Sequence, residues 1–286
     1  MRIERILVPI DFSELSQRAA EHALAQALHF DAELLFLHVI PPPPAEHVEL
    51  IQDVRPEQAE AQRQYLDKRL HAFARRAALG RPHRQFIASG DPAQRICALA
   101  AAEQADLLVM PSRGHGAFRR LLLGSTTAKV LHDCAVPVLT GAHLADGPPF
   151  RSGPIDAVAC ALALRDPAHS EKVLRFAWDY ALSWDAKLHV IHVPQAVELG
   201  VAEWFPPDTI KLVREAAAER LQDLMTRIGA QGQFHVEGGS TSDYVVSVMK
   251  QTGSDVLIVG RSSGGFGLHS NAYALIKASP GPVLSV

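Results

Sequence analysis

The sequence is short of the features that would place it in a specialised class. Three cysteines, Cys97, Cys134 and Cys160, are scattered along 286 residues, odd in number and in no Cys-x-x-Cys pair. That excludes a disulfide framework and a thiolate zinc site, and the three read as small core residues. Charge of neither sign dominates: 28 Lys+Arg face 31 Asp+Glu, a formal net charge of −3. The chain therefore has no cation excess with which to hold nucleic acid through its phosphates. No apolar run approaches the roughly 18 residues that a bilayer span needs. The opening MRIERILVPIDF has neither the apolar core nor the cleavage site of a signal peptide. The expectation is a cytoplasmic protein with no nucleic-acid partner and no membrane attachment. Enzyme signatures are missing too: there is no GxxxxGKS/T, no GxSxG, no HExxH and no GxGxxG after the first strand.

What the chain does contain is an internal repeat. Half of 286 is a common size for one compact domain, and 48% hydrophobic residues suffice for a core in each half. DAELLFLHVIP at 31–41 recurs as DAKLHVIHVP at 185–194, an offset of 154. ADLLVMP at 105–111 recurs as SDVLIVG at 254–260, an offset of 149, and CAVPVLTG at 134–141 as SPGPVLSV at 279–286, an offset of 145. Three matches in one order mean duplication. The falling offset means that the second copy is shorter, with four residues lost after 254–260. The seam ADGPPFRSGP, Ala145 to Pro154, has the Pro, Gly and Ser content of a linker. The expected domains are residues 1–146 and 154–286.

Each copy alternates strand and helix. In the first, strands are expected over Ile3–Ile10, Leu34–Ile40, His83–Ala88, Asp106–Met110 and Val136–Thr140. Helices are expected from Asp11-Phe12-Ser13 to about His29, over Pro56–Ala78 with an apolar stripe of Tyr65, Leu66, Leu70, Phe73 and Ala77, over Pro92–Gln104, and from Ser125. The order implies an α/β fold: two tandem domains, each an open parallel sheet covered on both faces and joined by right-handed crossovers.

In such sheets ligands bind beyond the carboxyl ends of the strands, where strand order reverses. After strand four stands PSRGHGAFRRLLLGSTTAKV, in which Gly114 is followed by nine residues and then by Gly124, Ser125 and Thr126 at a helix start. Glycines let backbone approach a phosphate closely, and a helix N-terminus offers free amides and positive potential. Strand one ends in Val8-Pro9-Ile10-Asp11. A carboxylate there suits a ribose hydroxyl or, through a metal ion, phosphate. Equally, Asp11 or Ser13 could be the N-cap of the first helix.

These residues resemble the universal stress protein superfamily. Its nucleotide-binding members carry Gly-x2-Gly-x9-Gly-Ser/Thr after strand four and an Asp after strand one. Gly114-x9-Gly124-Ser125 matches the last three elements and Asp11 the carboxylate. The resemblance spans essentially the whole chain, twice. It implies a Rossmann-like adenine-nucleotide fold, two domains paired as an intramolecular pseudo-dimer, a possible homodimer, and a stress-response regulator that binds ATP, with Mg²⁺, rather than an enzyme, with slow ATP hydrolysis left open. It places adenine between Val39 and Met110, the ribose or metal at Pro9 and Asp11, and the phosphates at Arg113, Gly114, Gly124, Ser125 and Thr126. The first signature glycine falls on Pro111, which has no N–H; a scaffold that has lost nucleotide binding is the alternative it raises.

The second copy departs further. Ala163 stands at the Asp11 position, Asp166 comes later, and His269-Ser270 replaces Gly124-Ser125 in the shortened loop. The second domain is expected not to bind ATP in the family manner, although Gly264, Gly265 and Gly267 could form an anion nest. Weaker signals have plainer readings. His189 and His192, three apart on a strand, face opposite ways and cannot share an ion, while His38 and His192 match in the repeat and suggest a shared packing role. Arg119 and Arg120 either screen a triphosphate or line a solvated loop, and Pro41 to Pro44 is a stiff connector. The mixed charges of Arg63, Lys68, Arg69, Arg75 and Arg76 with Glu57, Glu60 and Asp67 read as the solvent face of a helix.

Overall fold

A computed structural model describes residues 1–42, 56–112, 123–141, 154–194, 207–261 and 271–286. The chain forms two compact units, centred on residues 2–138 and 154–286. The first copy of the repeat contains β1 (Arg5–Pro9), α1 (Glu14–Phe30), β2 (Glu33–Ile40), α2 (Pro56–Ala78), β3 (His83–Ser89), α3 (Pro92–Ala102), β4 (Leu107–Val109), α4 (Ser125–Asp133) and β5 (Val138–Thr140), of which Leu139 and Thr140 fall in the second compact unit. The second contains β6 (Ala157–Ala161), α5 (Pro167–Ser183), β7 (Lys187–His192), α6 (Pro207–Ile228), β8 (Gln233–Val236), α7 (Thr241–Thr252), β9 (Val256–Val259), α8 (Asn271–Ala278) and β10 (Val283–Ser285).

Strand order is β3-β2-β1-β4-β5 for the strands of the first copy and β8-β7-β6-β9-β10 for those of the second. The pairs β1–β2, β1–β4, β2–β3, β6–β7, β6–β9, β7–β8 and β9–β10 are parallel: Arg5–Pro9 lies beside Glu33–Leu37, and Ala157–Ala161 beside Lys187–Ile191. Continuous apolar strands satisfy a sheet buried on both faces. Accordingly Ile6, Leu7 and Val8 are fully buried, as are Leu34, Leu35 and Phe36. No described helix is long and apolar enough to cross a membrane. No cysteine is in a disulfide; Cys134 and Cys160 are buried and Cys97 is half-buried.

Carboxylates at the head of the fourth strand of each unit set the register. Asp106 Oδ2 accepts the amides of Glu4 (2.8 Å) and Arg5 (3.0 Å), and Asp255 Oδ2 those of Asp156 (2.8 Å) and Ala157 (3.1 Å). The first helix of each unit is closed alike. Ser13 caps α1 through the Ser16 amide, and Asp166 caps α5 through the amides of Ala168 and His169. Each helix is followed by an aspartate in the left-handed region, Asp31 (φ 58°) and Asp185 (φ 53°). A short polar side chain tolerates that conformation better than most.

The structure moves several expected boundaries. β5 begins at Val138 because Pro137 has no N–H for the ladder, and only its carbonyl is used, by Leu108 N (2.9 Å). The first strand of the second copy stops at Ala161, and three residues on Leu164 turns left-handed (φ 52°). α3 stops at Ala102 and Gln104 is left-handed (φ 50°). The apolar stripe of α2 is Leu70, Phe73, Ala74 and Ala78, whereas Tyr65 is 63% exposed. Five positions before Leu70 is not on the same helical face; three, four and eight after it are.

His22 of α1 is buried to 6% exposure, and desolvation lowers its pKa from 6.5 to about 4. Burial also lowers His189 and His235. A base whose folded pKa lies below its unfolded one stabilises the fold in full above the unfolded pKa, and that stability drains away as the pH falls towards the folded one. Between pH 6.5 and 4, His22 alone should cost roughly 3 kcal/mol. Urea unfolding at pH 7.5 and 4.5 should therefore show a smaller acid loss for His22→Gln than for the unaltered chain; equal losses would refute this account of His22.

Candidate functional site

In the first unit the chain runs from β1 outward through β2 and β3, then crosses back to place β4 on the other side of β1. Strand order reverses between β1 and β4, so the crevice opens past Pro9 and Val109. Of the residues singled out in the sequence, Pro9, Asp11 and Met110 gather at this end. Met110 is buried, Pro9 is half-buried and Asp11 is exposed. Val39 stands near the end of β2, paired with Ala88. Arg113 and Gly114 lie outside the described residues, as do Arg119, Arg120, Gly264, Gly265, Gly267, His269 and Ser270.

Asp11 and Ser13 divide the two tasks that the sequence left open between them. Ser13 is the N-cap, with its Oγ accepting from Ser16 N at 3.1 Å. Asp11 Oδ1 accepts from Ser13 N (3.0 Å) and from Ser13 Oγ (2.5 Å), so the carboxylate braces the turn while remaining exposed at the crevice.

The helix that follows β4 is α4. Four other helices with described N-caps start on a side-chain acceptor: Ser13, Asp91, Asp166 and Ser240. α4 starts on Gly124, which has none. An α-helix leaves its first amides without partners in its own ladder, and here no side chain of the N-cap takes one; the exposed Ser125 and half-buried Thr126 hydroxyls stand beside them. Two hydrogen bonds seat this helix against the end of β4. Gly124 N donates to Ser112 O (2.8 Å), and the buried Thr127 Oγ1 donates to Pro111 O (3.0 Å). Sequence reasoning passed over Ser112 and Thr127; the Ser-Thr-Thr run was the available signal, since only one of its hydroxyls can face inward. Asp91, the cap of α3, also meets Lys129 of α4 at 3.1 Å. The Gln94 amide first, and Lys129 second, hold the Asp91 carboxyl below its ordinary range.

The second unit keeps the frame and loses these groups. Ala163 occupies the Asp11 position, and the hydroxyl of Thr127 has no counterpart, because Ala272 matches it in α8. Gly260 stands where Pro111 does, and a methyl group there would lie 2.5 Å from His169 Nε2 and 2.8 Å from Val173 Cγ2. Side chains of α5 therefore fill the space beside the end of β9. In α1, the position matching His169 is Ser16, fully buried. A small helix residue with proline in one copy becomes a large one with glycine in the other.

Both histidines that match in the repeat do the same work. His38 Nδ1–H donates to the Ile10 carbonyl and His192 Nδ1–H to the Leu162 carbonyl, each at 2.7 Å. On the opposite face of β7, His189 Nδ1 lies 3.3 Å from His235 Nε2. Among the described residues no three His, Cys, Asp or Glu side chains converge.

The tight fit at Gly260 gives a direct prediction. Gly260→Ala should destabilise the second unit by about 1–3 kcal/mol through overpacking against His169 and Val173, read as a lower thermal midpoint. Gly260→Ala combined with His169→Ser should recover most of the loss; failure to recover it would show that His169 is not the obstruction.

Comparison with known proteins agrees with the fold. The sequence profile described as the universal stress protein family matches residues 2–140 and again 160–286. A universal stress protein of Methanocaldococcus jannaschii is 30% identical over 142 residues, covering 48% of this chain and 80% of that protein. One from Thermus aquaticus is 37% identical over 136 residues, covering 47% and 95%. The crystal structure of a universal stress protein from Archaeoglobus fulgidus superposes with a TM-score of 0.70 at 22% identity, covering 100% of this chain and 98% of that one, a likeness of fold. With two profile matches in tandem, the chain belongs to the universal stress protein family.

Proposed function

We propose that the first unit binds ATP, with Mg²⁺, and that occupancy of this site biases the conformation or assembly of a cytoplasmic stress-response regulator. The observation that carries the reading is α4: a helix that starts on an uncapped glycine, seated by Thr127 and Ser112 at the strand-order reversal, with Asp11 across the crevice. Such a terminus supplies amides and positive potential to phosphate oxygens. Gly124, Ser125 and Thr126 would hold the phosphates, joined by Arg113 and Gly114 of the preceding loop. Pro9 and Asp11 would serve the ribose or the metal, and Val39 and Met110 would flank the adenine. The proposal includes no turnover and gives the second unit a structural or regulatory part, since Ala163 and Ala272 stand where the first unit has Asp11 and Thr127.

Titration of the full chain with Mg-ATP tests the reading: saturable binding is expected, and none at millimolar nucleotide would refute it. Asp11→Ala should weaken binding by about tenfold, the loss expected of one hydrogen bond to a charged group.

Pro111 discriminates against an interaction scaffold without nucleotide. The carbonyls of Pro111 and Ser112, not the missing amide, seat α4. Pro111→Gly should therefore leave ATP affinity within about threefold, well under the roughly tenfold per 1.4 kcal/mol that loss of a needed donor would bring. Binding that arises only in Pro111→Gly would favour the scaffold.

A further inference from the structure

The turn that presents Asp11 is clamped from the face of the sheet that the nucleotide reading leaves unused. Phe12, the next residue, has a left-handed backbone (φ 62°), which a bulky side chain adopts only where its surroundings hold it. Its ring packs 4.6 Å from the His38 ring and edge-on to Phe73 at 6.3 Å. Over it lies the guanidinium of Arg69 from α2, with Cζ 4.2 Å from the ring centroid. His38 in turn bonds the Ile10 carbonyl (2.7 Å), and Ile10 N donates to Leu37 O (2.7 Å). Asp11 thus sits between two residues held by one continuous stack of guanidinium, phenyl ring and imidazole.

The second unit separates what the fold needs from what the site needs. Leu164 repeats the left-handed turn (φ 52°), His192 repeats the bond to the strand-end carbonyl (2.7 Å), and Leu162 N donates to Ile191 O (2.9 Å). The turn therefore forms without a ring and without a cation. Arg220 precedes the buried Leu221 of α6 as Arg69 precedes the buried Leu70 of α2, but with Leu164 in place of Phe12 it has no ring to cover. The ring and its stacked guanidinium occur in the unit that carries Asp11, and are missing where Ala163 stands in its place.

We infer that Arg69 is a positioning residue for Asp11, stacking on Phe12 to fix the β1–α1 turn so that the carboxylate stays aimed into the crevice between β1 and β4. This rests on the reading of that crevice as a nucleotide site. Arg69 is exposed and, among the described residues, makes no ion pair, so its removal opens no cavity and strands no buried charge. A stacked guanidinium at an exposed site contributes modestly, and its loss is felt at the ring it covers.

The experiment uses the full chain, its Arg69→Ala, Arg69→Lys and Arg220→Ala variants, amide hydrogen exchange over residues 10–17, and Mg-ATP titration. Arg69→Ala should speed exchange at the Ser13 and Ser16 amides and raise the Kd for Mg-ATP, each by about fivefold, with an unchanged thermal midpoint. Arg69→Lys should restore part of both, since an ammonium also sits over a ring but without the planar stacking. Arg220→Ala should change neither. Unaltered exchange and affinity in Arg69→Ala would overturn the inference, and so would losses that appear only together with a fall in the midpoint, or equally in Arg220→Ala. If the unaltered chain binds no nucleotide, the site reading fails by itself, and exchange at Ser13 alone decides whether Arg69 holds the turn.

Discussion

The site depends on the register between β1 and β4. Parallel strands have no hairpin to align them, and a shift of one residue would send every side chain to the other face of the sheet. Here the alignment is fixed at the head of the strands by one carboxylate: Asp106 takes the amides of Glu4 and Arg5, and pairs Ile6 with Leu107 as a consequence. Everything at the far end follows from that pairing. Asp11 follows the end of β1 as Met110, Pro111 and Ser112 follow the end of β4, and α4 is seated on the carbonyls of Pro111 and Ser112. Asp255 does the same for the second unit, which shows that the device serves the fold before it serves any ligand.

Two copies of one frame therefore carry different chemistry. Their shared parts are the register carboxylate, the histidine on the strand-end carbonyl and the left-handed turn after it. Differences gather at the crevice: Asp11 against Ala163, Thr127 against Ala272, and the Ser16–Pro111 pair against His169–Gly260. The last exchange conserves volume between the helix and the strand end, which is how tightly packed interiors tolerate change. In the second unit the imidazole of His169 stands where a side chain at Gly260 would have to go.

Much of this was legible in the sequence, because alternating strands and helices leave strong periodic signals. α2 is found at the residues that the pattern marks, and α4 begins at Ser125 as its glycine start suggests. Boundaries set by single residues were less legible: Pro137 shortens β5, and Leu164 and Gln104 turn left-handed with no glycine to announce it. Asp11 and Ser13 looked interchangeable as caps, since either type can accept the orphan amide; only the geometry gives the cap to Ser13 and the brace to Asp11. Arg69 was read as one of a row of solvent-facing charges. Its neighbours on α2 fit that description, but a helix pattern carries no information about which ring from a distant turn lies under one of those charges.

Pro111 is the position at which sequence and structure pull hardest against each other. As a substitution for glycine it removes an amide from the mouth of the crevice and fixes φ, which looks like damage to a phosphate loop. The geometry gives that stretch another task. Both the Pro111 and Ser112 carbonyls point to α4, one taking the Thr127 hydroxyl and the other the Gly124 amide. A residue whose carbonyl is its contribution loses nothing by lacking an N–H, and a fixed φ limits the ways in which that carbonyl can swing away. In the proposed site the donors for an anion would come from the first turn of α4, which has no side-chain cap, rather than from the end of β4. On this arrangement the proline stiffens the seat of the helix on which that proposal rests.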